Sequence, residues 1–194
     1  MLIGLTGNFG TGKSTVLEMF ASLGAVTIDS DEIVRSLYNL KEIQERIIEI
    51  FGSDILVGEN IDKARISNII FNNNELKLKL EALLHKYVFS EIEALSKENT
   101  DKIVIAEIPL LLETDNKNSV DAVITVFCNE STIYERLSAD GFSEDDIRSR
   151  LANQMPLDEK KKQADFLIDT DMPIEDIRRE VSFIFGILKR GFKD

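Results

Sequence analysis

The chain has 194 residues, of which 43% are hydrophobic and 30% charged, a composition that excludes a disordered or fibrous protein. Its 35 acidic and 23 basic residues give a formal net charge of -12, which disfavours a nucleic-acid-binding surface. Cys128 is the one cysteine, so no disulfide forms within the chain, and no apolar run is long enough to cross a membrane. We therefore expect one cytoplasmic α/β domain.

Short apolar runs alternate with amphipathic stretches along the chain. The predicted strands span residues 2–6, 25–28, 102–108, 122–127 and 166–168, and the predicted helices span 13–23, 75–97, 131–139 (capped by Ser131) and 174–189, with residues 31–71 mostly helical. The strands are continuously apolar, which indicates burial on both faces, as in a parallel sheet. This alternation predicts an α/β fold with a five-stranded parallel sheet flanked by helices.

The first predicted strand leads into a complete phosphate-binding motif. Residues 7–14 read Gly-Asn-Phe-Gly-Thr-Gly-Lys-Ser and fit G-x-x-x-x-G-K-[ST] in full. The glycines allow consecutive main-chain N–H groups to turn toward phosphate oxygens at a helix N-terminus. We assign Lys13 to the β- and γ-phosphates of ATP, the Ser14 hydroxyl to Mg²⁺, and Thr15 to the α-phosphate. The predicted ATP-binding residues are Gly7, Gly10, Thr11, Gly12, Lys13, Ser14 and Thr15. The alternative is a glycine-rich turn without a ligand.

Two carboxylates follow the second predicted strand, at Asp29 and Asp31. Ligands of open parallel sheets bind beyond the carboxyl ends of the strands, where the phosphate motif also lies. We predict that Asp31 accepts the proton of an acceptor hydroxyl and that Asp29 positions waters on Mg²⁺. Alternatively, Asp29, Ser30 or Asp31 only caps the next helix. Arg35 either contacts substrate phosphate or forms an i,i+4 ion pair with Asp31.

Together these segments resemble the dephospho-CoA kinase family over nearly the whole chain. The segments that carry the resemblance are residues 3–15, 23–25, 28–35, 70–71, 80–85, 107–113, 135–137, 150–155 and 164–169. The resemblance implies a P-loop kinase fold and transfer of the γ-phosphoryl group of ATP to the ribose 3′-hydroxyl of dephospho-CoA. It also implies a core (about 1–31, 99–135 and 157–194), a helical CoA-binding lobe (about 32–98) and a lid (about 136–156). We expect a monomer.

The resemblance extends to further site residues. It places Glu107 in the Mg²⁺ shell and Arg136, in the lid, over the triphosphate as a catalytic cation. The substrate-binding residues that we expect are Asp29, Asp31, Arg35, Lys63, His85, Pro109 and Leu110. The alternatives are a solvent-exposed strand-end carboxylate for Glu107, a packing role for His85, plain core for Pro109 and Leu110, and a surface helix position for Arg136.

The sequence departs from the family pattern at several positions. Asp140 replaces the second arginine of the lid's Arg-x-x-x-Arg, so one cation is missing, and Arg148 or Arg150 is a candidate to replace it. Lys63 stands where the family tends to have arginine, and Thr170 stands in place of an asparagine. The run of three lysines at 160–162 is most simply a solvated helix face.

Two other functions fit the phosphate motif. The first is another small-molecule P-loop kinase, of the nucleoside or shikimate type. The second is a nucleotide-dependent switch, but a GTPase should carry Asn-Lys-x-Asp, and the nearest stretch, residues 116–119, lacks the acid. We therefore favour a kinase.

Overall fold

The computed structural model of the chain describes residues 1–58, 60–114 and 116–191. The strands are β1 (Leu2–Thr6), β2 (Val26–Asp29), β3 (Leu56–Val57), β4 (Asn60–Ile61), β5 (Val104–Glu107), β6 (Ala122–Phe127) and β7 (Phe166–Asp169). The helices are α1 (Lys13–Ser22), α2 (Ser30–Leu37), α3 (Lys41–Phe51), α4 (Lys63–Asn72), α5 (Asn74–Glu98), α6 (Glu130–Ala139), α7 (Glu144–Ala152), α8 (Leu157–Gln163) and α9 (Ile174–Gly191). Short 3-10 helices span Ser53–Ile55 and Asn116–Ser119.

The main sheet has five strands in the order β2-β5-β1-β6-β7, and every neighbouring pair is parallel. This confirms the predicted α/β fold with a five-stranded parallel sheet. Since all the strands run the same way, their carboxyl ends share one edge of the sheet. The phosphate motif, which follows β1, therefore starts from the same edge at which Asp29 ends β2 and Glu107 ends β5.

Helices α1 and α9 cover one face of the sheet, and on the other face Leu111 and Val120 lie against Gly4 of β1. All five residues of β1 and all four of β5 are buried, as the continuous apolar pattern of these strands predicted. One contact between the two helices is aromatic: the rings of Phe20 and Phe185 meet edge to face with centroids 6.2 Å apart. The apolar face of α1, which includes Val16 and Phe20, is therefore anchored in the core of the sheet.

Some local predictions were wrong or incomplete. Ser131 does not cap α6, because that helix begins at Glu130 and Asn129 occupies the cap position. Helices α7 and α8 and the β3–β4 hairpin were not predicted. Helix α7 has a single buried residue, Ile147, so its apolar period is too weak to see. Its start is set instead by Ser143, whose hydroxyl accepts the Asp146 N–H at 3.2 Å.

The chain divides into two compact units, one formed by Met1–Asp29 and Ser96–Asp194 and the other by Ser30–Leu95. The first contains the five-stranded sheet. The second is helical, with the two-stranded β3–β4 hairpin, and it buries aliphatic side chains such as Ile43, Ile47 and Ile66. Within the described residues of both units, none of the helices has the length and apolar character of a membrane span.

Candidate phosphoryl-transfer site

The phosphate loop connects β1 to α1, and its glycines are required by its geometry. Gly7 has φ of 150°, and a Cβ atom there would lie 2.3 Å from the Val126 carbonyl oxygen. Gly12 has φ of 84° and occupies the cap position of α1 in the left-handed region. A side chain at Gly7 would therefore collide with β6, and one at Gly12 would strain the turn into the helix. The loop has the form that a main-chain anion site needs.

Lys13 folds back across this loop. Its side chain is buried, with 8% of the residue exposed, and its ammonium group donates to the Asn8 carbonyl at 3.1 Å. The Thr11 hydroxyl donates to the same carbonyl at 2.8 Å, which closes the loop on itself. Ser14 and Thr15 are exposed in the first turn of α1. The buried cation and the exposed hydroxyls thus stand at one helix N-terminus, where anions are favoured.

Two predicted carboxylates lie beside each other at the sheet edge. Asp29 and Glu107 are register partners on β2 and β5, and Glu107 is also the partner of Leu5 on β1. Glu107 is 7% exposed, so the solvent-exposed alternative for this residue is wrong. These carboxylates and the Ser14 hydroxyl are oxygen donors, the type that Mg²⁺ prefers.

No group of three or more His, Cys, Asp or Glu side chains is arranged to hold a metal among residues 1–58, 60–114 and 116–191. Mg²⁺ in kinases is bound through one or two protein oxygens together with substrate phosphates and water, so it needs no such cluster. The donors at this edge of the sheet fit that mode of binding.

Arg136 lies against the phosphate loop and is held there by Thr170. Its guanidinium donates to the Thr170 carbonyl at 2.7 Å and to the Thr170 hydroxyl at 3.1 Å, and that hydroxyl in turn donates to the Thr11 carbonyl at 2.8 Å. A Cβ atom on Gly12 would be 3.4 Å from Arg136 Nη1. The surface-helix alternative for Arg136 is therefore wrong. The threonine that departs from the family pattern ties this arginine to the loop.

A second arginine stacks on the tip of the loop. The Arg150 Cζ atom lies 4.8 Å from the centroid of the Phe9 ring and 5.1 Å from that of Phe142, and the two rings meet edge to face. Arg148 instead forms an exposed ion pair with Asp145 at 3.9 Å. Of the two arginines considered as replacements for the missing lid cation, Arg150 is the one beside the loop.

Behind the loop lies a buried ion pair that the sequence analysis missed. Lys160 Nζ lies 2.8 Å from Glu113 Oε1, with the lysine side chain 0% exposed and the glutamate 16%. The same ammonium donates to the Pro109 carbonyl at 3.0 Å, which also accepts the Thr6 hydroxyl at 3.1 Å. Pro109 and Leu110, the predicted substrate wall, are half-buried.

The prediction of a solvated face at 160–162 is therefore wrong for Lys160. Burial lowers the pKa of Lys160, and the hydrogen bond and charge of Glu113 oppose that effect. A signal was present in the sequence, because Lys160 lies three residues after Leu157 and four before Ala164. Those spacings put it on the apolar face of a helix.

The remaining predicted residues lie in the unit Ser30–Leu95. Asp31 is exposed in the first turn of α2, and Arg35 is exposed near the end of that helix. Arg35 makes no ion pair within the described ranges, so the i,i+4 pair with Asp31 does not form. Lys63 is the first residue of α4, with its ammonium 4.4 Å from the centroid of the Tyr38 ring. His85 is half-buried in α5.

Comparisons with known proteins place this site in context. The family model described as dephospho-CoA kinase matches residues 1–176. A dephospho-CoA kinase of Aquifex aeolicus (strain VF5) is 38% identical over 191 residues, which are 97% of this chain and 97% of that protein. The crystal structure of TT1252 from Thermus thermophilus superposes with a TM-score of 0.86 at 27% identity, covering 97% of each chain. A dephospho-CoA kinase from Campylobacter jejuni gives a TM-score of 0.70 at 29% identity, covering 98% of each.

Proposed function

Because this chain belongs to the dephospho-CoA kinase family of phosphotransferases, we propose that it phosphorylates the ribose 3′-hydroxyl of dephospho-CoA with ATP, giving coenzyme A and ADP. The observation that carries the proposal is a complete phosphate loop, with Lys13 buried inside it, in a chain whose relatives match it nearly end to end. The comparisons do not favour the nucleoside or shikimate alternative, since the family model and the relatives named above for their activity are dephospho-CoA kinases.

The loop and its neighbours bind the donor in this proposal. Main-chain N–H groups of residues 12–15, at the amino end of α1, hold the phosphates, and Lys13 neutralises charge on the β- and γ-phosphates. Ser14 and Glu107 would hold Mg²⁺, and Asp29 would position its waters. The metal ion supplies positive charge to the phosphate oxygens. The oxygen donors at the carboxyl edge of the sheet support this assignment.

The acceptor loses its proton to Asp31. As the bond from the 3′-oxygen to the γ-phosphorus forms, the bond from that phosphorus to the β–γ bridging oxygen breaks, and ADP leaves. An exposed carboxylate in the first turn of α2 is suited to this role, because an incoming hydroxyl can reach it. Arg35, Lys63, His85, Pro109 and Leu110 contact dephospho-CoA in this proposal.

Two arginines stabilise the charge of the transferring phosphoryl group. Arg136 already lies beside Gly12, and its hydrogen bonds to Thr170 fix the direction of its guanidinium. Arg150 stands at Phe9 and replaces the cation that Asp140 removes from the lid. We place the working enzyme in the cytoplasm as a monomer, in which residues of about 32–98 form the CoA-binding lobe and about 136–156 the lid.

The test is an ADP-release assay with Mg²⁺-ATP and three acceptors: dephospho-CoA, a set of nucleosides, and shikimate. We expect turnover with dephospho-CoA only, and a product whose new phosphate is esterified to the ribose 3′-oxygen, as shown by ³¹P NMR. Chelation of the metal ion should abolish turnover. Turnover with dephospho-CoA no faster than the acceptor-free background would refute the proposal.

A further inference from the structure

One main-chain N–H group of the phosphate loop is bound by a side chain from the segment after α7. The Phe9 N–H, third in the loop, donates to the side-chain carbonyl of Gln154 at 2.9 Å. The orientation of the Gln154 amide follows from this contact, since an N–H donor must face its oxygen rather than its nitrogen. The adjacent residues make a second contact in which the loop is again the donor: the Asn8 side-chain amide donates to the Met155 carbonyl at 3.4 Å.

The segment that carries Gln154 is itself held by the buried ion pair. The Met155 N–H donates to Glu113 Oε1 at 3.0 Å, the oxygen that also binds Lys160. Lys160 also donates to the Pro109 carbonyl. That carbonyl accepts a second hydrogen bond from the hydroxyl of Thr6, the residue immediately before the loop. A chain of polar contacts therefore begins at the start of the phosphate loop, passes through the buried pair, and returns to the loop tip at Phe9.

We propose that Gln154 is a positioning residue for phosphoryl transfer: by holding the Phe9 N–H, it keeps the tip of the phosphate loop in its nucleotide-binding form and links that tip to the end of α7. It acts through the loop and does not itself touch the reacting atoms. Substitution of Gln154 should therefore weaken nucleotide binding and leave the affinity for the acceptor unchanged. The kinetic part of this inference rests on the proposed function, whereas the binding part depends on the phosphate loop alone.

The test compares Gln154→Met, which keeps the length of the side chain but has no acceptor oxygen, with Gln154→Asn, whose amide is too short to reach Phe9. Asn153→Ala is the matched control, because the Asn153 side chain donates to the Ser149 carbonyl of α7 and is exposed. Nucleotide Kd is measured calorimetrically with Mg²⁺ and a non-hydrolysable ATP analogue. The KM values for ATP and for dephospho-CoA, kcat and Tm are measured on the same preparations.

We expect both Gln154 variants to raise the nucleotide Kd and the ATP KM by about five- to tenfold, the effect of one lost neutral hydrogen bond. The KM for dephospho-CoA should stay within about twofold of wild type, and Asn153→Ala should match wild type in every measurement. Unchanged nucleotide Kd in both Gln154 variants would overturn the proposal, as would equal losses in Asn153→Ala. Tighter nucleotide binding in either Gln154 variant would also overturn it, because Gln154 would then compete with phosphate for the Phe9 N–H. If dephospho-CoA fails as acceptor, the calorimetric result still decides the question.

Discussion

The two compact units carry their functional residues in different ways. In the unit built on the five-stranded sheet, the cations at the site are buried or half-buried and bound to protein groups: Lys13 to the Asn8 carbonyl, Arg136 to Thr170, and Lys160 to Glu113. In the unit Ser30–Leu95, Asp31 and Arg35 are exposed on one helix. The first unit holds its cations in place through the fold, whereas the second presents side chains to solvent.

This difference suggests that the sheet unit stabilises the charge of the transferring phosphoryl group, whereas the helical unit recognises the acceptor. Cations that the fold has already placed need little reorganisation when a triphosphate binds, which makes them effective at stabilising transferring charge. An exposed side chain such as that of Arg35 loses rotamer entropy when a substrate orders it. Substitutions of the buried cations of the sheet unit should therefore affect the nucleotide and the fold, and those of the exposed residues of the helical unit should affect the acceptor.

The largest effect is expected for Lys13→Ala. Removing a buried cation from the loop should lower kcat/KM for ATP by about 10³-fold, because both binding and transition-state charge stabilisation are lost. Steady-state kinetics and calorimetry with an ATP analogue measure the two parts. Lys162→Ala, an exposed lysine of the same unit, is the control and should behave as wild type. Wild-type ATP affinity in Lys13→Ala would contradict the assignment of the loop.

Asp31→Asn should lower kcat by about 10²-fold, because an amide cannot accept the proton of the 3′-hydroxyl. Nucleotide Kd should be unchanged, which would separate the two units functionally. Glu32→Gln removes the same charge from the adjacent exposed position of α2 and should have little effect. A loss in Asp31→Asn no larger than that in Glu32→Gln would mean that Asp31 is not the base.

Lys160→Met should lower the free energy of unfolding by about 3 kcal/mol, because it leaves the largely buried Glu113 carboxylate and the Pro109 carbonyl without their cation. Urea denaturation measures the change, with Lys162→Met as the exposed control. A loss below about 1 kcal/mol would indicate that the pair contributes little to the sheet unit.

The free energy of unfolding should depend on pH differently in the wild-type protein and in Lys160→Met. Burial lowers the folded-state pKa of Lys160 below its ordinary value of 10.5, so the unfolded chain binds that proton more tightly. As pH rises from the lowered folded pKa toward 10.5, wild type should gain stability relative to Lys160→Met. A stability difference that stays constant or shrinks over this range would contradict the assignment.

The smallest effect is expected for Lys63→Ala, which should raise the KM for dephospho-CoA by about tenfold and leave the ATP KM unchanged, as for one charge-assisted contact. Lys63→Arg should retain or improve acceptor binding, because a guanidinium binds phosphate through two hydrogen bonds. Lys41→Ala, another exposed lysine of the helical unit, is the control. An equal rise in the ATP KM would contradict the assignment of acceptor binding to the helical unit and nucleotide binding to the sheet unit.

Prediction from the sequence succeeded where the signal is local. The run at 2–6 and the glycines that follow it identify a buried strand and a phosphate loop, because only glycine tolerates φ of 84° or the approach of Gly7 to β6. It failed for Lys160, since a run of three lysines resembles a solvated face. It also missed the role of Gln154, whose partner Phe9 lies 145 residues earlier in the chain.

The sequence by itself determined the class of the fold, the position of the phosphate loop and the family of the chain, because strand periodicity, turn chemistry and motif spacing are local properties. Only the tertiary structure decided which cations are bound to the loop. It showed Arg150 rather than Arg148 at Phe9, Thr170 behind Arg136, and Lys160 buried against Glu113. Such pairs form between residues far apart in the chain, and their energies depend on burial, which no local pattern records.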